Sequence, residues 1–394
     1  GPGAGPGGCE ASWAAYRLKV HCQVIATVSV PEAMDPTSDS DATGPVDTLD
    51  TRIVVSSARH PQFRTWSRLE TRIGTVTPTA IDVPIVYRPY EHESAQFGYT
   101  PDYPNANQIY FDPENGAWIR GNDGLHQLVD GTWQWVDTVE GTRFRAGGSK
   151  VAFGGQGEIC VLGTSDSGPA YLYSPDGGIP FPVGAGDVPT TPMQTDIEQF
   201  AGHNLPVGPA PFVVARQTGG ADPEHFWRRV NDFELYLPTF TAGQLDLGNP
   251  IPVSQQAIGI AAHSGVPSAI ASMGDRVHVI WGEATDPSVD VPGVPAYVAT
   301  YDRSEGRWLG EPALVGYGPP ANDVHNTPSL VIDSEGYLHT LTGTHGSPFA
   351  YARSLEPNTA HEGFTEPTLI EEGLRSTYVG LVCDPDDTLH LVFR

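Results

Sequence analysis

The chain has 394 residues, 39% of them hydrophobic, which is enough to bury a large core; length alone admits two or three ordinary domains unless the fold is a repeat. Its 21 Lys and Arg stand against 47 Asp and Glu, a net charge of −26 with Lys19 and Lys150 as the two lysines, so the basic footprint that a nucleic-acid partner requires is missing. No run approaches the roughly 20 apolar residues that cross a bilayer, so no membrane partner is expected.

The 45 Gly and 37 Pro suit short strands separated by many turns. The opening GPGAGPGG lacks the charged and apolar regions of a signal peptide and reads as a mature or truncated start. Cys9, Cys22, Cys160 and Cys383 show no CxxC spacing, which argues against a zinc ribbon; a Cys9–Cys22 pairing is not readable from spacing. Residues 1–50 read as an N-terminal arm that contributes strand. RIVVSSARHPQFRTWSRLE (52–70) then reads as two strands, VPIVYRPY (83–90) as a faint further unit, and QIYFDPENGAWIRG (108–121) as a hairpin turning at Pro113 to Gly116.

From there a repeat emerges. VAFGGQGEICVLG (151–163) with AYLYSPDGG (170–178) gives strand, turn, strand, strand, and PFVVARQ and FELYLPTF between 211 and 253 fit another unit. HSGVPSAIASMGDRVHVIWGE (263–283) continues into AYVATYD (296–302) and EPALV (311–315). HNTPSLVIDSEGYLHTLTGT (325–344) continues into AYARS (350–354) and EPTLI (366–370), and YVGLVCDPDDTLHLVFR (378–394) supplies two strands more. Four strands per unit is a propeller blade, and the two strands at each chain end complement each other. The expectation is a single all-β domain over 1–394, a propeller of about seven four-stranded blades with its ring closed by N- and C-terminal strands.

The repeat also separates packing from chemistry. His278, His339 and His390 recur at one place in their units, with Cys160 in the equivalent place, and are expected to be structural. His345, in Gly343-Thr344-His345-Gly346-Ser347-Pro348, has no such counterpart, and its flanking glycines permit close backbone approach. His325 opens its unit in Asp323-Val324-His325-Asn326, and His263 takes the same relative position one unit earlier; both read either as packing or as ligand contacts at one mouth. Tyr378 and Arg394, sixteen residues apart, can be brought to one rim by a hairpin.

VHNTPSLVIDSEGYLHTLTGTHGSPFAYARS (324–354) with TYVGLVCDPDDTLHLVFR (377–394) resembles the BNR-repeat propellers that include bacterial ulvan lyases. The resemblance implies an active site of two histidines, a tyrosine and an arginine, matched here by His325, His345, Tyr378 and Arg394; Asn326, next to His325, and His263, one unit earlier, are candidate substrate contacts read from their positions. This sequence stops at the matching arginine, where that family has substantial further chain.

The chemistry so implied is β-elimination on a uronate-containing, ulvan-like sulfated polysaccharide. The proton at C5 is weakly acidic, so the carboxylate must be neutralised, a base supplied and the leaving oxygen protonated. Arg394 is the natural neutraliser, helped by His345; His325 is the expected base and Tyr378 the acid, or Tyr378 serves as both. No cofactor is required, and although a structural metal ion is compatible with the fold, no ligand set in the sequence predicts one. The expected protein is a secreted, extracellular monomer with an anionic polysaccharide as its partner. A sialidase-like hydrolase and a non-catalytic glycan-binding propeller remain alternatives, although Ser304-Glu305-Gly306-Arg307-Trp308 is the one fragment near a sialidase-type box.

Overall fold

The computed structural model describes residues 24–27, 51–59 and 64–72 and most of 109–392; inside that last range 113–115, 121–124, 137–149, 156, 166–167, 178–184, 188–193, 219–229, 260–268, 343–344, 371–375 and 378–379 lie outside the described residues. Every described element is a strand and every ladder is antiparallel, so the chain is all-β, as its turn-rich composition predicts. The faint unit at 83–90, Cys9 and Cys22 fall outside the described residues.

Strands β1 (Val24–Thr27), β2 (Thr51–Arg59) and β3 (Arg64–Arg72) form one sheet. Next comes a four-stranded meander of β4 (Ile109–Phe111), β5 (Ala117–Arg120), β6 (Leu125–Val129) and β7 (Thr132–Val136). A second follows, made of β8 (Lys150–Phe153), β9 (Ile159–Ser165), β10 (Gly168–Ser174) and β11 (Ala185–Asp187). The third contains β12 (Gln194–Ile197), β13 (Phe212–Gln217) and β14 (Asn231–Tyr236), then a side hairpin of β15 (Thr239–Thr241) and β16 (Gln244–Asp246), then β17 (Ile251–Gly259) as its fourth strand.

The fourth meander comprises β18 (Ile270–Met273), β19 (Arg276–Glu283), β20 (Val294–Asp302), the short β21 (Arg307–Trp308) and β22 (Ala313–Gly318). It is fused to the third, because the far end of β17 pairs with β19 at Ala257↔Glu283 and Gly259↔Gly282. The fifth meander contains β23 (Ser329–Ile332) and β24 (Leu338–Thr342); β25 (His345–Ser347) leaves the sheet before β26 (Ala350–Arg353) and β27 (Thr368–Leu369) complete it. Then β28 (Ser376–Thr377) pairs with β25, and β29 (Gly380–Cys383) with β30 (Leu389–Val392) makes the last described hairpin. β3 approaches β30, but the two remain in separate sheets.

Alternation along each strand packs these sheets face to face in chain order. In β8 and β9, Val151, Phe153, Ile159 and Val161 meet Tyr110, Trp118 and Leu125 of the preceding sheet, while Ala152, Cys160 and Leu162 meet Ile197, Phe212 and Val214 of the following one. In β13, Val213 and Ala215 turn the other way, into the core shared with Val277, Val279 and Trp281. Leu330, Ile332 and Leu338 join that core, and Val331 and Leu341 pack on Leu381, Leu389 and Leu391. Both faces of these central sheets are therefore buried.

One turn recurs through the stack. Asp112, Gly154, Asp333 and Asp384 each donate their amide to the carbonyl four residues on, closing a three-residue loop. The third loop residue has positive φ where described, at Gly157 (94°), Gly336 (89°) and Asp387 (59°), the geometry of a type I turn with a bulge. The aspartate Oδ1 accepts the backbone amide four residues on, at 2.6 Å from Gly116, 2.8 Å from Tyr337 and 2.9 Å from Thr388. Its Oδ2 takes the ring nitrogen six residues on: Trp118 at 2.8 Å, His339 at 2.9 Å and His390 at 2.9 Å. His339 thus carries a structural bond, completed by Tyr351 Oη 2.6 Å from Nδ1. Burial works to raise the Asp333 carboxyl, but His339 and the turn amides outweigh it and hold the group below its usual range.

His278 has the same duty through different partners. Its hairpin turns in two residues, Gly274 and Asp275, because Met273 pairs with Arg276, so Met273 stands where the other units have aspartate. Asn358, from the next unit, fills the gap: its Oδ1 lies 2.9 Å from His278 Nε2, and Thr300 Oγ1 lies 2.9 Å from Nδ1. Burial pushes the pKa of His278 down to about 4, so the ring is neutral in the folded protein. An unfolded chain takes up this proton first as pH falls below its ordinary 6.5, so stability is fully present above that value and is lost down to about 4. Between pH 7 and pH 4 this ring is expected to cost about 3 kcal/mol of unfolding free energy. In urea titrations His278→Gln removes that share of the acid-induced loss. Asp333→Ala, which strands two turn amides and the His339 ring, is expected to cost about 3 kcal/mol at pH 7 by the same measurement.

Candidate functional site

His325 lies in the connection from β22 to β23, and neighbouring residues fix that connection to the fourth meander. Asn322 bonds Thr285 in both directions, its Oδ1 accepting the Thr285 amide at 2.7 Å and its Nδ2 donating to the Thr285 carbonyl at 2.9 Å. Val324 is buried with Ile258 and Val294. Gly282 supplies the clearance: a Cβ there would stand 2.6 Å from Val294 Cγ1 and 3.7 Å from the Asn326 carbonyl. The next residue but one, Asn326, is buried and donates from Nδ2 to the Pro320 carbonyl at 3.0 Å, while its Oδ1 has no hydrogen-bond partner among the described residues.

Asp323 completes the setting. Its Oδ1 accepts the His325 amide at 2.9 Å and lies 2.6 Å from His325 Nδ1, so one carboxylate holds both the backbone and the ring of the histidine. With Nδ1 donating to Asp323, Nε2 is the nitrogen that carries the lone pair. The Asp323 side chain is 9% exposed and that of His325 23%, which is a buried carboxylate behind a partly open imidazole. This is the arrangement by which a carboxylate fixes the tautomer of a general base.

The other expected site residues fare differently. His345 opens β25, whose ladder with β28 sets His345 opposite Thr377, and Gly346 beside it has φ +81°, where a Cβ is disfavoured. Tyr378, Arg394 and His263 lie outside the described residues. Asp323 is the residue that sequence reasoning passed over; the signal was present in its Asp-x-His spacing to His325.

Similarity to known proteins concentrates in the C-terminal part. Residues 294–394 match the family described as BNR repeat-containing. An ulvan lyase from Pseudoalteromonas sp. (strain PLSV) is 28% identical over 132 residues, which span 32% of this chain and 25% of that protein. A protein of unknown function from Dyadobacter fermentans aligns over 65% of this chain and 80% of its own at 14% identity, with a TM-score of 0.36. The Trypanosoma rangeli sialidase in complex with sialic acid aligns over 60% of this chain and 39% of its own at 11% identity, with a TM-score of 0.31. Structural scores this low carry no argument about fold or activity. Residues 294–394, which contain β20 to β30 and His325, are the part of the chain that is similar to the BNR repeat-containing proteins.

Proposed function

We propose that this protein is an extracellular, monomeric polysaccharide lyase that cleaves a uronate-containing, ulvan-like sulfated polysaccharide by β-elimination. The Asp323–His325 pair carries the reading, because an oriented neutral imidazole is the base this reaction needs. The sequence similarity to an ulvan lyase supports the same substrate class. The proposed frame is one domain over 1–394, a seven-bladed propeller closed by strands from the two chain ends.

In this mechanism Arg394 and His345 pair with the uronate carboxylate, so that negative charge can build at C5. His325 Nε2 removes the C5 proton, and the C–H electron pair becomes the C4–C5 double bond. The bond from C4 to the bridging oxygen breaks, and Tyr378 gives its phenolic proton to that oxygen. His263 contacts the flanking sugar, while Asn326, expected to do the same, is buried with its amide on the Pro320 carbonyl and instead holds the connection that carries His325. No cofactor enters these steps.

Incubation with ulvan tests this directly, since elimination leaves a conjugated unsaturated uronate that absorbs in the ultraviolet. The expected outcome is rising absorbance matched by new reducing ends; reducing ends without absorbance would establish hydrolysis, and binding without either a lectin. His325→Ala is expected to lower kcat by about 10²–10⁴. Asp323→Ala is expected to lower kcat less than His325→Ala does, as loss of an orienting carboxylate requires.

A further inference from the structure

The last hairpin departs from its sisters at two positions, and both departures face one histidine. At the residue before the turn aspartate the others have Phe111, Phe153 and Ile332, and β29 has Cys383. At the positive-φ turn position the others use Gly157 and Gly336, and this one uses Asp387 at φ 59°. A side chain in that conformation costs of order 1 kcal/mol that glycine avoids. Cys383 is buried against Leu381 and Leu389 and Asp387 accepts from Ser334, but neither contact requires a thiol or a carboxylate in place of the sister residues.

His203 explains both. Its Nε2 lies 3.2 Å from Asp387 Oδ1 and 3.0 Å from the main-chain oxygen of Asp384, and the donor atoms of His203, Cys383 and Asp387 all fall within 4.8 Å of one another. The Cys383 sulfur is 3.7 Å from the same Asp384 oxygen. Donors on a tetrahedral zinc ion stand roughly 3–4 Å apart, given bonds of about 2.0–2.3 Å.

The surroundings hold these groups in place. The Cys383 amide donates to Ala201 at 2.7 Å and the His203 amide to Ile332 at 2.9 Å. Gly202 between them admits no side chain, since a Cβ would meet the Ile332 carbonyl at 2.4 Å and Cys383 Cβ at 3.3 Å. Ser334, from the neighbouring hairpin, donates its amide to Asp387 Oδ1 at 2.8 Å and its hydroxyl to Oδ2 at 2.6 Å. Such outer bonds orient a ligating carboxylate.

We propose that His203 Nε2, Cys383 Sγ and the Asp387 carboxylate, with the Asp384 carbonyl as neighbouring oxygen donor, bind a divalent ion of the zinc class. One imidazole, one thiolate and oxygen donors suit a borderline-soft, four-coordinate cation and not the all-oxygen shell of Ca²⁺ or Mg²⁺. On binding, the Cys383 thiol gives up its proton to solvent and its sulfur becomes a ligand. The ion ties the segment after β12 to the last hairpin, groups 181 residues apart in sequence. The role is structural and independent of the elimination chemistry.

The test uses the full chain, stripped with a chelator and titrated with Zn²⁺ by calorimetry and with Co²⁺ by absorbance. Expected are one saturable site with Kd below about 1 μM, a thiolate-to-Co²⁺ charge-transfer band, and a raised unfolding midpoint. Cys383→Ser abolishes the band. Asp387→Gly installs the sister residue at the positive-φ position while removing the ligating carboxylate, and the affinity of the folded variant for Zn²⁺ falls by more than about 10-fold. Absence of a saturable site in the parent chain, or an unchanged band and affinity in these variants, overturns the proposal.

Discussion

A β-sheet buried on both faces cannot rely on solvent to satisfy anything between its strands, and most of this chain is built from such sheets. Val151, Phe153 and Val161 leave one face of the second meander for the first, and Ala152, Cys160 and Leu162 leave the other for the third. Every polar group inside the stack then needs a protein partner. The turn carboxylates answer part of that requirement. Asp112, Asp333 and Asp384 each satisfy turn amides with one oxygen and a ring on the following strand with the other. Tight turns and interior rings are thereby specified together.

The same constraint frames the candidate base. A carboxylate buried between units is tolerable when an imidazole and an amide share it, and Asp323 meets both conditions through His325. His339 and His390 use their carboxylates to finish a hairpin from within. His325 uses Asp323 from a connection between units, and its ring is partly open to solvent. One pairing of side chains thus closes a hairpin in one setting and holds a partly open imidazole in another, and exposure and backbone context separate them.

Much of this was legible in the sequence because it is local. Strand, turn, strand order is written in short-range alternation and turn residues, and each of the stretches read as strand, turn, strand at 108–121, 151–163, 263–283 and 325–344 contains a hairpin in the structure. The recurrence of His278, His339 and His390 marked them as structural, and their buried bonds agree. What escaped was set by register or by distance along the chain. Treating 263–283 and 325–344 as simple copies hid the two-residue turn after Met273, and with it the substitution of Asn358 for aspartate. The pairing of β25 with β28 leaves no short-range pattern. His203 and Cys383 lie far apart in the sequence with no spacing to connect them, and only folding sets them side by side.

The fusion of the third and fourth meanders through β17 changes what counts as a unit. β17 contributes one end to its own sheet and the other to β19, so nine strands from β12 to β22 share one continuous hydrogen-bonded network. Elsewhere among the described residues no ladder joins one four-stranded sheet to the next, and one can loosen while its neighbour keeps its ladder. Here opening either meander breaks backbone bonds in the other, so residues 194–318 form a single cooperative block within an otherwise modular chain. The connection that carries His325 begins where that block ends and is anchored to it at Thr285, so the candidate base hangs from the largest sheet of the described residues.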